Sequence, residues 1–94
     1  MNRYQKGARM ERAVKQHYES LGYTVIRSAG SHSPIDLIAI PKKGDRFVLL
    51  IQCKNSTLSQ PARDKLEESL SQFGRSGVML IPVVLSKEWK REVE

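Results

Sequence analysis

A single cysteine, Cys53, stands in the sequence, so the chain cannot form an internal disulfide. Chains without disulfides are typical of a reducing compartment. We expect a cytoplasmic location, on the nucleoid or, for a viral or phage protein, in the host cytoplasm. The longest apolar runs are far shorter than the ~20 residues that cross a bilayer, and the first four residues open no signal-peptide pattern. We therefore expect no membrane partner and no secretory leader.

The length of 94 residues allows one modest hydrophobic core but not two. With 39% hydrophobic and 28% charged residues, the composition is that of a folded chain and excludes global disorder. No repeat, linker or low-complexity tract divides the chain. We predict a single domain over residues 1–94, with a core at about 6–85 and a polar C-terminal tail at 86–94.

Positive charge is concentrated in the first third of the chain. Residues 1–30 contain six lysines or arginines against two glutamates, which is +4 of the net charge of +6. Clustered positive charge indicates a polyanionic partner, most often a nucleic acid. A well-solvated surface explains the charge equally well, so charge alone does not decide between the two.

Two helices are predicted from apolar residues that recur with the helical period. The first runs from about Lys6 to Leu21 and stops at Gly22, a natural C-cap. The second covers about residues 60–73, with Ser59 as N-cap and Pro61 in its first turn. The apolar stripes, which should face the core, are Met10, Val14, Tyr18 and Leu21 in the first helix and Ala62, Leu66, Leu70 and Phe73 in the second.

Four strands are predicted around these helices: "YTVIRS", "IDLIAI", "FVLLIQCK" and "GVMLIPVVL". The second and third are apolar on successive residues, which indicates central strands covered on both faces. Pro82 in the last strand indicates an edge position or a bulge. The fold class is therefore α/β, in the order α-β-β-β-α-β, with a short mixed sheet flanked by helices.

Polar side chains lie at the open end of the hairpin that the second and third strands form, away from its turn. A short turn at Lys43–Gly44 joins these strands. Asp36 and Gln52 lie eight residues on either side of Gly44, so near that register they face each other with Cβ atoms roughly 4.5–5.5 Å apart. Lys54, two residues beyond Gln52, lies on the same face of its strand. Three polar groups are thus predicted to converge at one end of a hydrophobic sheet.

These groups suit a metal site. Glu11 lies at the edge of the first apolar stripe, so a helix packed on the sheet could aim it toward Asp36. Oxygen ligands from Glu11, Asp36 and Gln52 suit Mg²⁺, which binds a few protein oxygens at about 2.0–2.1 Å and keeps several waters. Such a metal lowers the pKa of a bound water and neutralises phosphate charge. Lys54 would orient the water or stabilise the developing phosphorane.

Each of these residues has a simpler explanation when it is taken alone. Asp36 can be a turn former or the salt-bridge partner of Lys54, and Gln52 can mark the point where the strand leaves the core. The shared register, with a lysine two positions further on, favours a site over these separate explanations.

The combination of Glu11-Arg12 with "GYTVIRSAGS", "IDLIAI" and "LIQCK" resembles the PD-(D/E)XK nuclease superfamily and, within it, the archaeal-type Holliday junction resolvases. The resemblance covers about residues 6–85. An aspartate followed by x-Lys is a weak motif, whereas "RSAGS" at the right distance before Asp36 is much more specific. The matching positions are Gly7, Glu11, Arg12, Arg27, Ser28, Ala29, Gly30, Ser31, Asp36 and Lys54.

The resemblance implies a restriction-endonuclease-like core and a Mg²⁺-dependent endonuclease, with Mn²⁺ able to substitute, that cuts four-way DNA junctions as a homodimer. It implies metal-associated carboxylates at Glu11 and Asp36, and a ligand at the Cys53 backbone carbonyl, with the thiol in the core. Lys54 would be the catalytic lysine, and Ser31 would lie near the scissile phosphate. The resemblance places Ser31, Arg12 and Arg27 on the DNA side. The full set of expected DNA contacts is Arg9, Arg12, Arg27, Ser31, His32, Lys42 and Lys43. His32 can equally belong to a mobile loop, and Lys42 and Lys43 can simply keep the hairpin tip soluble.

Two positions depart from the family pattern. Gln52 stands where relatives usually have glutamate; its amide oxygen can coordinate Mg²⁺ but brings no charge, so weaker metal affinity is expected. Ile35 stands where a proline would precede the aspartate, with Pro34 one place earlier, and we expect little effect from this change.

Two alternatives to junction resolution stay open. The same fold can act on flaps, forks or duplex DNA, or the chain can be a catalytically silent nucleic-acid-binding module in which Gln52 marks a decayed site. Away from the site, His17 is expected to be a packing residue. Phe73 is core by its spacing and a dimer contact by the resemblance. Trp89 can dock on a partner subunit or on its own domain.

Overall fold

The computed structural model describes residues 3–28, 33–44, 47–74 and 80–93. Its elements follow the predicted order, with a short helix added after the last strand. In chain order they are α1 (Arg3–Ser20), β1 (Tyr23–Arg27), β2 (Leu37–Pro41), β3 (Val48–Cys53), α2 (Gln60–Ser71), a 3₁₀ turn (Gln72–Gly74), β4 (Leu80–Leu85) and α3 (Trp89–Glu92). No helix in these ranges is long and apolar enough to cross a membrane.

The four strands form one mixed sheet in the order β1-β2-β3-β4. β2 pairs antiparallel with both β1 and β3, whereas β4 pairs parallel with β3. The two strands with continuous apolar sequence are therefore central, as predicted. Pro82 lies in an edge strand, where its missing N–H interrupts no second ladder. The predicted α/β class with a mixed sheet is confirmed.

Two hydrophobic clusters hold the sheet, one on each face, because successive strand residues point to opposite sides. The cluster under α1 consists of Met10, Val14, Tyr18, Val25, Leu37, Ala39, Ile51 and Leu85. The cluster under α2 consists of Leu50, Leu70 and Val84. Burying one such side chain contributes about 1.5–3 kcal/mol. β3, with Leu50 in one cluster and Ile51 in the other, is thus held from both sides.

Two residues predicted for the core are exposed. Leu21 is 48% exposed because α1 ends at Ser20 and the chain turns at Gly22, whose φ of 95° suits glycine. Phe73 is 36% exposed because α2 ends at Ser71. The 3₁₀ turn that follows has a period of three residues and moves Phe73 off the α2 stripe. Both predictions were wrong for the same reason: the α-helical period was extended past the end of the helix.

The segment after β4 folds back onto the domain. Trp89 packs beside the α1 cluster and makes an edge contact with the His17 ring, with the ring centroids 5.8 Å apart. Ser86 is buried, and its N–H donates to Glu92 Oε1 at 2.7 Å. Arg63 of α2 forms an ion pair with the same glutamate. Trp89 therefore docks on its own domain, and His17 is the packing residue expected from the sequence.

Two glycines allow a matched test of backbone conformation. A Cβ built at Gly7 or at Gly44 meets no other described atom within 4 Å, but Gly44 has a φ of 88° whereas Gly7 lies inside α1. We expect Gly7→Ala to raise the free energy of unfolding by about 0.5–1 kcal/mol, because glycine is a poor helix former. Gly44→Ala should lower it by roughly 1–2 kcal/mol, because an L-residue is strained at positive φ. Urea unfolding followed by circular dichroism measures both, and changes of the same sign would contradict this explanation.

Candidate active site

Asp36 lies where β2 and β3 meet, directly before β2 begins. The ladder pairs Leu37 with Ile51, which is the predicted register. Beyond that pair, the Asp36 N–H donates to Ile51 O at 2.9 Å, and the Cys53 N–H donates to Asp36 Oδ2 at 2.8 Å. The carboxylate thus acts as an acceptor for the end of β3. The predicted ladder pair between Asp36 and Gln52 does not form, because the ladder ends at the pair of Leu37 and Ile51.

The Asp36 carboxyl is half-buried and has a raised pKa. Desolvation is the largest cause of the rise, and the negative charge of Glu11 adds to it. The hydrogen bond from the Cys53 N–H and the positive charges of Lys54 and Arg27 act in the opposite direction without cancelling the rise. A nearby cation stabilises the ionised carboxylate in this position, because its positive charge offsets the unfavourable burial of negative charge.

Glu11 reaches the same place from α1, with its carboxylate paired to Arg27. The Arg27 Nε–H donates to Glu11 Oε1 at 2.8 Å, and the Glu11 side chain is 18% exposed. The charge of Glu11 raises the pKa of both Asp36 and Cys53, so Glu11 lies close enough to act electrostatically on both residues. The ion pair itself was missed, because no spacing rule relates a helix residue to a strand residue 16 positions away.

Gln52 is buried at the end of β3 and carries an amide oxygen without a partner. It is 9% exposed, and its Oε1 accepts no hydrogen bond from the described residues. An unpaired buried acceptor costs roughly 1–3 kcal/mol, and buried polar atoms in folded proteins usually have a partner, which can be a bound water or an ion. The next residue, Cys53, packs against the α1 cluster, where burial raises the pKa of its thiol. That placement agrees with a thiol in the core.

Lys54 follows β3 and is exposed. Its backbone N–H donates to Leu85 O at 2.8 Å, so the main chain at Lys54 is tied to the end of β4. Its side chain lines a recess of about 540 Å³, which we call the catalytic recess, together with Lys6 and Gly7 of α1. An ammonium group in such a recess can donate to the oxygen of an entering phosphate.

The donors at this site fit a hard divalent cation. Asp36 and Glu11 supply carboxylate oxygens, which lie close enough for the charge of Glu11 to raise the pKa of Asp36. At the end of β3, the buried Gln52 carries an amide oxygen that accepts no hydrogen bond from the described residues. Within the described ranges, no three histidine, cysteine or acidic side chains are grouped closely enough to hold a metal. The residues therefore do not form a closed cage. Mg²⁺ usually binds through one or two carboxylates and keeps several waters, which matches an open site of this kind.

The other predicted DNA contacts lie elsewhere. The exposed ones are Arg9 and Arg12 on α1 and Lys42 and Lys43 in the turn after β2. Ser31 and His32 lie outside the described residues. Ser28, the last described residue before them, donates its N–H to Asp36 O at 2.9 Å. The chain therefore leaves β1 beside Asp36.

Known proteins share this sequence pattern. Residues 2–88 match the family model of the archaeal Holliday junction resolvases (Hjc). The crossover junction endodeoxyribonuclease Hjc of Methanocaldococcus jannaschii is 46% identical over 56 residues, which are 60% of this chain and 39% of the relative. The aligned part thus spans well under half of that relative. The resemblance drawn from Glu11-Arg12, "RSAGS" and Asp36 is confirmed at the level of the family.

One solved structure shares the fold. A VRR_NUC domain superposes with a TM-score of 0.59 and covers 94% of this chain and 92% of its own. At 23% sequence identity the likeness shows the fold alone. That fold is the restriction-endonuclease-like one, as predicted.

The raised pKa of Asp36 leads to a stability prediction. Because the folded state favours the neutral carboxyl, ionised Asp36 destabilises the fold at neutral pH. We expect Asp36→Asn to raise Tm at neutral pH in the presence of a chelator. The gain should shrink as pH falls through the folded pKa of Asp36, because the wild-type carboxyl then becomes neutral as well. Calorimetric melting across pH measures this effect.

An exposed aspartate provides the control. Asp64→Asn makes the same chemical change on the surface of α2 and should shift Tm little. A lower Tm for Asp36→Asn than for wild type at neutral pH would contradict the proposed cost of the buried charge.

Proposed function

The chain belongs to the archaeal Holliday junction resolvase family, and on this premise we propose that it is a metal-dependent endonuclease that hydrolyses phosphodiester bonds in four-way DNA junctions. One observation carries the proposal. The Cys53 N–H donates to the Asp36 carboxylate at the end of β3. In the chain, Cys53 stands between Gln52, whose amide oxygen has no partner among the described residues, and the exposed Lys54. Oxygen donors for a cation and an ammonium group for a phosphate are what phosphodiester hydrolysis requires.

We propose Mg²⁺ as the cofactor, with Mn²⁺ able to replace it. Asp36, Gln52 Oε1 and the Cys53 backbone carbonyl would hold the ion, and Glu11 would add a second carboxylate while it remains paired with Arg27. When bound, the metal makes a water molecule more acidic and offsets negative charge on the phosphate. Because Gln52 is uncharged, affinity for the ion should be lower than with glutamate at this position.

Lys54 is the proposed catalytic lysine. From the catalytic recess its ammonium group can donate to a phosphate oxygen and stabilise the charge that develops during hydrolysis. It can also orient the attacking water. Ser31 is proposed to lie near the same phosphate, on the segment that leaves β1 beside Asp36.

The proposed DNA contacts surround these residues. Those on described parts of the chain are Arg9, Arg12, Arg27, Lys42 and Lys43, and His32 lies on the segment after β1. Four of these five cationic side chains are exposed. The fifth, Arg27, forms an ion pair with Glu11. Phosphate contacts of this kind make binding strongly dependent on salt.

We further propose that the chain, as a single domain, works as a homodimer in the cytoplasm, on the nucleoid or, for a viral or phage protein, in the host cytoplasm. Two identical sites related by a two-fold axis are suited to cutting two strands of one junction. Phe73 supports a dimer contact, because it is exposed on a 3₁₀ turn that contacts β4. Ile81 of that edge strand is exposed as well.

A second function has support from one observation. Gln52 brings no charge, and no third acid joins Asp36 and Glu11 within the described ranges. These features fit a catalytically silent nucleic-acid-binding module. Cleavage of flaps, forks or linear duplex by the same residues is a further alternative, which differs from junction resolution only in the substrate.

Cleavage of a synthetic four-way junction with Mg²⁺ tests the proposal. Wild type should cut the junction faster than a flap, a fork or a linear duplex. Asp36→Ala and Lys54→Ala should each lower the rate by at least about 100-fold, because the first removes a proposed metal ligand and the second removes the ammonium group that acts on the phosphate. Binding of the junction, measured by anisotropy, should be largely kept.

Two further variants complete this experiment. Gln52→Glu should tighten Mg²⁺ binding measured by calorimetry, because it adds a charged ligand, and Lys65→Ala on exposed α2 should change nothing. If neither wild type nor Gln52→Glu cuts a junction that both bind normally, resolvase catalysis is wrong. Absence of Asp36-dependent metal binding would then favour the silent module.

Light scattering tests the dimer. Wild type should have twice the mass of one chain, and Phe73→Ser should shift the population toward the monomer, because it removes an apolar contact. Phe47→Ser is the matched control, since Phe47 is also exposed but directly precedes β3. A monomeric wild type would contradict the proposed dimer. Equal effects of the two variants would contradict a specific contact of Phe73 in the interface.

A further inference from the structure

A second recess lies beside the catalytic one, and the site described above does not use it as a unit. It has a volume of about 460 Å³ and is formed where α1, the end of β3 and the segment around α3 meet. We call it the α3 groove. The lining residues that matter here are Lys6 and Arg9 of α1, Asn55 after β3, and Lys87, Trp89 and Lys90 around α3.

The charge of the α3 groove is of one sign. Among the described residues, four cationic side chains line it and no acidic one does. None of the four forms an ion pair with a described residue, whereas Lys15, Arg27 and Arg63 each pair with a glutamate. Cations brought together without acids repel one another, so packing does not explain this group. A polyanion is the partner that complements it.

The floor of the groove is apolar and includes an indole. Met10 and Ala13 of α1 line it together with Trp89. The tryptophan is half-buried and held in place by the edge contact with His17, and Lys90 Nζ lies 6.0 Å from its ring centroid. A positively charged groove with an aromatic surface is how proteins commonly bind a single nucleic-acid strand, with cations on the phosphates and a base on the ring.

The α3 groove is continuous with the catalytic recess. Lys6 and Asn55 line both. A strand whose phosphate lies at Lys54 can therefore pass Asn55 and enter the groove without leaving the surface.

Resting on the proposed function, we propose that the α3 groove binds the DNA strand that leads away from the cut phosphate. Lys6, Arg9, Lys87 and Lys90 contact its phosphates, and one base packs on Trp89. The groove then recognises a strand whose bases are not fully stacked, as at the branch of a junction. It extends the DNA surface to the C-terminal segment, which lies outside the contacts expected from the sequence.

The chain contains one tryptophan, so its emission reports on this groove alone. In the Asp36→Ala background, which is expected to cleave at least about 100-fold more slowly, a short oligothymidylate and a four-way junction should each quench the tryptophan emission as anisotropy shows binding. Lys87→Gln/Lys90→Gln should weaken binding. For the oligothymidylate, the double variant should make the negative slope of log K against log salt shallower, by about 0.7 for each lost phosphate contact. Lys65→Gln, which removes one exposed charge from α2, should change neither quantity.

Two results would contradict DNA binding in the α3 groove. One is tryptophan emission that stays constant while anisotropy shows saturation. The other is a salt slope of the double variant equal to that of Lys65→Gln. Cleavage by the wild type is measured separately. Quenching without any cleavage by wild type would support DNA binding in the α3 groove and contradict the proposed nuclease activity. Cleavage without quenching would support the nuclease activity and contradict DNA binding in the groove.

Discussion

The hydrogen bond from the Cys53 N–H to the Asp36 carboxylate is the contact on which the candidate site depends. It stands where the ladder between β2 and β3 ends, so the two central strands determine the position of the carboxylate. β3 is packed from both faces, by Leu50 on one side and Ile51 on the other. A strand end held in this way is a rigid support, and rigidity matters because small displacements of catalytic groups are costly to the rate.

The same place is unfavourable for the folded chain taken alone. Asp36 keeps a half-buried charge beside Glu11, and Gln52 leaves an acceptor unpaired among the described residues. Shifted pKa values and unsatisfied polar groups occur together at functional sites, where a ligand completes them. A divalent cation addresses both features, since it compensates negative charge and accepts an amide oxygen as ligand.

The order of the elements along the chain, the central position of β2 and β3 and the β2–β3 register could be predicted because they follow from local signals: continuous apolar runs, a short glycine turn and alternation along a strand. The errors at Leu21 and Phe73 arose where a helix ends, since periodicity carries no information about its own end. The same limit applies to the C-terminal segment, which is polar in sequence. It nevertheless buries Ser86 and seats Trp89 against His17, because α2 and α1 provide partners that are distant in the chain.

The sequence by itself determined the family and the order of the elements and named the candidate residues of the site, because motif residues and strand register are properties of short stretches of chain. Only the tertiary structure decided what those residues touch. It placed Arg27 on Glu11, turned Asp36 toward the Cys53 N–H instead of Gln52, and brought Lys87 and Trp89 next to Lys6. These contacts join segments that are far apart in the chain, and packing of both helices on the sheet is the physical cause that brings them together.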